Sequence, residues 1–274
     1  MKAYIQLLRP SNFIIAFLSI AVASLLAGGT GAQWTAIAAA SASGALIGAA
    51  GMVINDILDV DIDRINKPNR PLVTGAVPMD QAKLLYMVLN AVGLAFDFLL
   101  PPHAQYIALF AVLFIYFYSA VLKRTVLAGN LAVGGMTGLA FIYGGAAVGS
   151  IDGALLPALF AFLMNAGREI IKDMEDVDGD RQNGAVTLPV KYGMTAGAAA
   201  ATVFLTALIA AAVYPFAVHI YSMKYLVVVG CGVIGPMGYV IGSLWMNKAV
   251  ENLHRLCTII KYDMIVGLIA ISIG

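Results

Sequence analysis

"NDILDVDIDRINKPNRP", residues 55–71, puts five carboxyl or carboxamide side chains into its first nine positions, directly after the uncharged "ASASGALIGAAGMVI" of 40–54. The arrangement returns at residues 172–184, "KDMEDVDGDRQNG". With an offset of 117, Asp56, Asp59, Val60, Asp61, Asp63, Arg64 and Asn66 fall on Asp173, Asp176, Val177, Asp178, Asp180, Arg181 and Asn183. That makes seven identities in eleven positions. An acid cluster closing an apolar run, built twice, is what any reading of this chain has to explain.

The surroundings of the two clusters are lipid-like. The 274 residues are 61% hydrophobic and 11% charged, with a mean hydropathy of +0.89. A soluble domain carries about 25% charged residues, so the composition points to a membrane protein. A net charge of +1 argues against a nucleic-acid partner, which needs a basic face. Cys231 and Cys257 lie in apolar segments without metal or redox spacing. His103, His219 and His254 show no triad-like or zinc-like spacing and read as interfacial.

A spanning helix needs about 20 mostly apolar residues. Nine runs qualify, at 12–29, 35–54, 81–100, 104–122, 126–148, 152–172, 195–216, 225–246 and 254–273. Lipid offers backbone groups no partner, and runs this long without alternation are helices, not barrel strands. The predicted fold is therefore all-α: a polytopic membrane protein with nine transmembrane helices and a cytoplasm-facing polar cavity. It reads as one domain, 1–274, with a possible internal repeat of the motif-bearing helices around 35–66 and 152–183. The amino-terminal "MKAYIQLLRPSN" has no small-residue cleavage site and reads as the lead into a retained first span. Small-residue patches such as "GGMTG" and "GALIGAAG" allow helices to approach closely.

Lysine and arginine set the orientation. Lys2 and Arg9 precede the first span. Arg64, Lys67, Arg70, Lys123, Arg124, Arg181, Lys191, Lys248 and Arg255 follow the even-numbered ones. The opposite loops, "GGTGAQW", "PPHAQ", "GSIDG" and "VHIYSMK", offer only Lys224. The amino end is thus expected in the cytoplasm, the carboxyl end outside, and both acidic stretches at the cytoplasmic side.

On a helix turning 100° per residue, Asn55, Asp56, Asp59 and Asp63 share one face and Asp61 leaves it. Asp173, Asp176 and Asp180 repeat that face, with Asp178 off it, and Asn165, Arg168, Glu169 and Lys172 extend it backward. Ionisable groups inside a membrane are costly, so such a stripe lines a wet, protein-walled cavity. Two carboxylate clusters brought together repel unless a cation joins them. Mg²⁺ suits them, because it prefers oxygen, takes one or two carboxylates per site and completes its shell with phosphate oxygens. Arg64, Lys67, Arg70, Lys123 and Arg124 then complete a diphosphate clamp. Two other readings use the same residues: polar loops that merely cap membrane helices, and a cation transporter. Capping explains neither the shared face nor the repetition, and no carboxylate chain continues outward as transport needs.

The residues quoted resemble the UbiA superfamily of intramembrane prenyltransferases. "NDILDVDID" matches that family's NDxxDxxxD motif, and "DMEDVDGD" its second motif, DxxDxxxD. The resemblance implies Mg²⁺ held by Asn55, Asp59 and Asp63 on one side and Asp176 and Asp180 on the other, with Asp56 and Asp173 in support. It also implies that Lys123, in "YSAVLKR", holds the diphosphate, and that Arg9 and Asn12, in "LRPSN", approach it. "RPSN", "GREIIKDMEDVDGD" and "GAVTLPVKYG" are most similar to the ether-lipid branch of the superfamily. Members of that branch move a geranylgeranyl group from its diphosphate to the free hydroxyl of geranylgeranylglyceryl phosphate. Quinone-precursor and tetrapyrrole prenyltransferases share the metal motifs, so an aromatic or tetrapyrrole acceptor stays open. An allylic cation would be shielded from water, and Tyr116, Tyr118, Phe141 and Tyr143 are candidates to stabilise it through their ring faces. Arg168 and Lys172, absent from the first repeat, are candidates for an acceptor phosphate. Membrane lipids are the expected surroundings, and no obligatory protein partner is expected.

Overall fold

The computed structural model describes residues 2–274, and these form α-helices joined by short connections, with no strand among the described residues. By internal packing the chain divides into two compact units. One holds the residues up to Lys123 with Leu139–Leu155 and Gln182–Gly184; the other holds Arg124–Gly138, Leu156–Arg181 and Ala185–Gly274.

The first unit is built on α3 (Trp34–Leu58), against which α1 (Lys2–Leu8), α2 (Pro10–Leu26), α5 (Met79–Asp97) and α6 (Pro102–Ala120) pack. Its core is made of small and branched residues: Ile20, Ala39, Ala40, Ile47, Ala104 and Ala108 in one cluster, and Leu7, Ala49, Ala50, Val53 and Leu89 in another nearer the acidic stretch. Pro10 sets the entry to α2. A residue before proline is pushed out of the α region, and Arg9 takes a left-handed backbone with φ 49° and ψ 71°. The axes of α1 and α2 meet there at a bend of 42°. After α3 comes the short α4 (Val60–Asn66).

The second unit contains most of α8 (Asp152–Glu175), then α9 (Val177–Gln182), α10 (Leu188–Tyr192) and α11 (Met194–Ala217). The helices α12 (Met223–Val229) and α13 (Gly235–Met246) run on through a π-helical turn at Gly230–Ile234, and α14 (Val250–Ser272) closes the chain. The first half of α7 (Ala128–Ala147) also belongs here. A Cβ on Gly134 or Gly138 would lie 2.8 Å from the carbonyl oxygen of Phe162 or Ala158. Only glycine lets α7 come that close to α8, the spacing typical of helices packed in lipid.

Among the described residues five helical stretches are long and apolar enough to cross a membrane: Gly31–Leu58, Pro102–Arg124, Asp152–Glu175, Met194–Ala217 and Met223–Met246. The bent pair α1 and α2 makes a sixth. The other three runs expected to span fall on α5, α7 and α14, all helical; α5 carries Asp80, Lys83, Asn90 and Asp97, α14 carries Glu251, Arg255, Lys261 and Asp263, and α7 is uncharged but rich in glycine. Tyr106, Phe110, Leu113 and Phe117 form an exposed ridge along α6. Such a ridge is unfavourable in water and neutral against acyl chains.

Candidate active site

The uniform helical face expected for the first acidic stretch is corrected at Asp59. The helix stops at Leu58 and resumes at Val60, and Asp59 between them has φ −99° and ψ 3°. That is the sparsely populated bridge region, where many active-site residues sit. The backbone ladder still runs through, from Asp59 N–H to Asn55 (3.0 Å) and from Asp63 N–H to Asp59 (2.8 Å). The axis is thus offset, not cut. The second stretch breaks at the equivalent residue, between Glu175 and Val177, with Asp176 N–H on Lys172 (2.9 Å) and Asp180 N–H on Asp176 (3.0 Å). The repeat seen in the sequence is a repeat of backbone as well.

In the first unit Asp56, Asp59 and Asp63 are all buried, and each is met by a cation from another segment. Arg9, at the α1–α2 bend, donates to Asp56 at 2.5 Å and to the Met52 sulfur at 3.3 Å. The Asn12 amide also lies on that sulfur, at 3.7 Å. Arg70 spans the helix break, donating to Asp56 at 2.9 Å and to Asp63. Lys123, in the turn Leu122–Arg124, donates to Asp59. Burial raises the Asp63 carboxyl above its ordinary range; Arg70 pulls it back, while Asp59 and Asp56 add to the rise. Burial alone would lower Arg70, but the charges of Asp56 and Asp63 outweigh it and raise its pKa.

Asp61 is exposed, as its helical phase required, and pairs with the equally exposed Arg64 at 2.9 Å. Arg64 is therefore not brought to the buried carboxylates, because the phase that turns Asp61 outward turns it outward too. Lys67 is partly buried and Arg124 exposed; the Lys67 N–H donates to the Asp63 carbonyl at 2.8 Å, and the Arg124 carbonyl accepts the Val186 N–H at 3.0 Å.

In the second unit Asp173 accepts an amide N–H from Asn130 at 2.7 Å, and Asp180 a hydroxyl from Thr187 at 3.4 Å. Asp178 is exposed. Arg168 and Lys172 both donate to the buried Glu169, at 2.8 and 3.2 Å. Asn165 turns back to the carbonyl of Ala161, one turn earlier (3.1 Å).

Tyr143 stands apart from the acidic stretch. It is buried in the first unit's core with its hydroxyl on Asp97, whose other oxygen takes the Ser43 hydroxyl at 3.1 Å. Ser43 stands on α3 about 24 Å, sixteen residues at 1.5 Å each, from Asp59. Tyr116 is exposed on α6 and Phe141 is buried. Sequence reasoning missed Asn130, Thr187 and Asp97. Each is a polar residue in or beside an apolar run, which is itself a signal, but the partners of Asn130 and Asp97 lie more than forty residues away.

A model of the UbiA prenyltransferase family matches residues 16–259. The chain belongs to the UbiA prenyltransferase family. It is 33% identical to digeranylgeranylglyceryl phosphate synthase of Methanobrevibacter smithii, across 100% of this chain and 98% of that protein. A solved structure described as digeranylgeranylglyceryl phosphate synthase in membranes superimposes with a TM-score of 0.76 at 30% identity, over 100% of this chain and 97% of that one. A UbiA homolog from Archaeoglobus fulgidus bound to GPP and Mg²⁺ has the same fold, with a TM-score of 0.70 at 22% identity over 98% and 99% of the two chains.

The first motif of this UbiA family member has the donor chemistry of a hard-cation site. Its donors are all oxygen, and two of them, Asn55 Oδ1 and Asp59 Oδ1, are buried without a hydrogen-bond partner. A buried acceptor left unmatched calls for an explanation, and a magnesium ligand is one. Among the described residues no three His, Cys, Asp or Glu side chains stand together as a ready metal cage. Arg9, Arg70 and Lys123 hold the first motif's carboxylates instead.

Proposed function

We propose that the chain is a nine-span membrane prenyltransferase. In this reading it transfers a geranylgeranyl group from geranylgeranyl diphosphate to the free hydroxyl of geranylgeranylglyceryl phosphate, making the second ether bond of archaeal lipids. The observation that carries the reading is Asp59, a carboxylate 1% exposed at the helix break, with one oxygen on Lys123 and the other unmatched. Full-length likeness to the Methanobrevibacter smithii protein supports the acceptor class.

In this reading Mg²⁺ supplies the positive charge that draws electrons toward the leaving diphosphate. Asn55, Asp59 and Asp63 would hold the metal in the first unit, with Asp56 in support; Asp176 and Asp180 would do so in the second, with Asp173 in support. Lys123, Arg9 and Arg70 neutralise the motif carboxylates when the protein is empty and turn to the diphosphate oxygens when it is loaded. Asn12, Lys67 and Arg124 border that anion. The allylic C–O bond to the diphosphate breaks, the acceptor oxygen forms the new C–O bond, and its proton leaves. The apolar helices keep water from the allylic cation, so the acceptor oxygen captures it.

The Lys/Arg distribution supports motif ends open to the cytoplasm, an amino terminus inside and a carboxyl terminus outside. Cysteines placed at Asn69 or Asn183 of a protein lacking Cys231 and Cys257 should resist an impermeant thiol reagent in intact cells, and cysteines at Ala32 or Ser150 should react. The reverse pattern would overturn the orientation. The function is tested by incubating purified protein with geranylgeranyl diphosphate, Mg²⁺ and either geranylgeranylglyceryl phosphate or an aromatic acid. Product mass should report the diether phosphate alone and only with the metal. A prenylated aromatic acid contradicts the reading.

A further inference from the structure

The two repeats differ most one to two turns before their aspartates. Gly51, Met52 and Asn55 of α3 correspond to Arg168, Glu169 and Lys172 of α8. Three ionisable groups thus replace none, on a helix long and apolar enough to cross a membrane. Such groups are expensive there and mark functional sites.

Their geometry is built, not incidental. Glu169 is 7% exposed and accepts both Arg168 Nη1 (2.8 Å) and Lys172 Nζ (3.2 Å). From α14, the Cys257 carbonyl accepts Arg168 Nε at 3.2 Å, while the Cys257 thiol lies 3.8 Å from the Arg168 carbonyl. The guanidinium is therefore pinned through Nε and Nη1. Nη2 has no protein acceptor among the described residues. The Arg168 and Lys172 side chains retain 21% and 24% exposure. Two cations on one carboxylate, with a fixed guanidinium edge still to be matched, make a receptor for an oxyanion.

Position separates this oxyanion from the donor's diphosphate at its Arg168 end. Arg168 lies about 12 Å along α8 from Asp176 and about 7.5 Å from Asp173, at 1.5 Å per residue, while Lys172, next to Asp173, stands at the border of the aspartates. Metal-bound phosphate oxygens stay about 2.1 Å from the metal, so the donor belongs at the aspartates. A second anion belongs further along the helix. We propose that Arg168 and Lys172, oriented by Glu169, bind the phosphate monoester of the lipid acceptor. This rests on the acceptor class proposed above. Arg168 and Lys172 are binding residues, and Glu169 is a positioning residue that acts through them.

The test is initial-rate kinetics on the full-length enzyme in bilayer discs, varying donor and acceptor separately. Geranylgeranylglycerol without its phosphate serves as a second acceptor. Arg168→Gln and Lys172→Gln should each raise the acceptor KM about tenfold to a hundredfold, the range for a lost charge-assisted contact. The donor KM should hold, and the preference for the phosphorylated acceptor should shrink by the same factor. Arg168→Lys should restore part of the loss. Glu169→Gln should raise the acceptor KM with little change in kcat, which a merely structural role would not do.

A raised donor KM with the acceptor KM unchanged overturns the assignment, as does an unchanged preference for the phosphorylated acceptor. If a variant loses all turnover, binding of radiolabelled acceptor decides: wild-type affinity overturns the proposal, and selective weakening relative to donor binding supports it. Wild-type protein that prenylates a different acceptor and ignores geranylgeranylglyceryl phosphate overturns the proposed function, and this inference with it.

Discussion

The first acidic region draws its cations from outside its own helices, whereas the second carries two on its own helix. Asp56, Asp59 and Asp63 are met by Arg9, Arg70 and Lys123. Asp173 takes a neutral donor from Asn130, Asp180 counts the Thr187 hydroxyl among its partners, and Arg168 and Lys172 of α8 both reach Glu169, outside the aspartate pattern. The helix break is common to both regions, at Asp59 and at Asp176. Shared backbone geometry with divergent partners is what a duplicated element would show after its copies specialised. In the function proposed above, what they share handles the diphosphate, and what differs handles the acceptor.

The comparison breaks most readily at the two break residues. Asp59→Asn and Asp176→Asn should each lower turnover by more than about a hundredfold, since a ligand is worth more than the tenfold to hundredfold of an outer-shell partner. Expression and detergent extraction should be unchanged. A marked asymmetry between the two losses would show that the repeats do not share a function.

Next in size is the contrast between charged and neutral partners. Arg70→Gln leaves Asp56 and Asp63 without the group that bridges them and should cost about 1.5–3 kcal/mol of stability. Asn130→Ala removes one neutral donor from Asp173 and should cost about 1 kcal/mol. Thermal unfolding in detergent measures both, and equal losses would erase the distinction. Tyr143→Phe sharpens the site's outer limit. It removes a hydroxyl from Asp97 and should lower the unfolding temperature while leaving kcat/KM within about twofold, since Ser43, on the other oxygen of Asp97, stands about 24 Å along α3 from Asp59. A large fall in kcat/KM would restore Tyr143 to the site. Smallest of all, Asp61→Asn and Asp178→Asn, both exposed, should stay within about twofold of wild type.

These outcomes also bear on how much the sequence disclosed. The nine apolar runs all fall on helices, and the phase that placed Asp61 and Asp178 outward is the phase observed. Hydrophobic period survives translation into structure because it is a property of one helix. The breaks at Asp59 and Asp176 were not legible, because neither a proline nor a glycine marks them and a 100° period carries no information on one residue's φ and ψ. Arg64 was placed with the carboxylates by proximity in sequence, yet it follows Asp61 outward. Asn130 and Asp173 stand 43 residues apart, and Tyr143 and Asp97 46 apart. Their meeting depends on the register of packed helices, which a single sequence read one helix at a time does not state. Arg168 and Lys172 were legible as a mismatch between repeats and Glu169 as a partner on the same stripe, while the Cys257 carbonyl behind Arg168 was not.

The central claim is that both repeats serve metal-dependent diphosphate binding. The most direct measurement is equilibrium binding of geranylgeranyl diphosphate to the purified protein, with and without Mg²⁺, for wild type, Asp59→Asn and Asp176→Asn. Mg²⁺ should tighten binding to the wild type. Each substitution should abolish that gain while leaving the metal-independent affinity, which Arg9, Arg70 and Lys123 maintain. A full Mg²⁺-dependent gain retained by either variant contradicts the account.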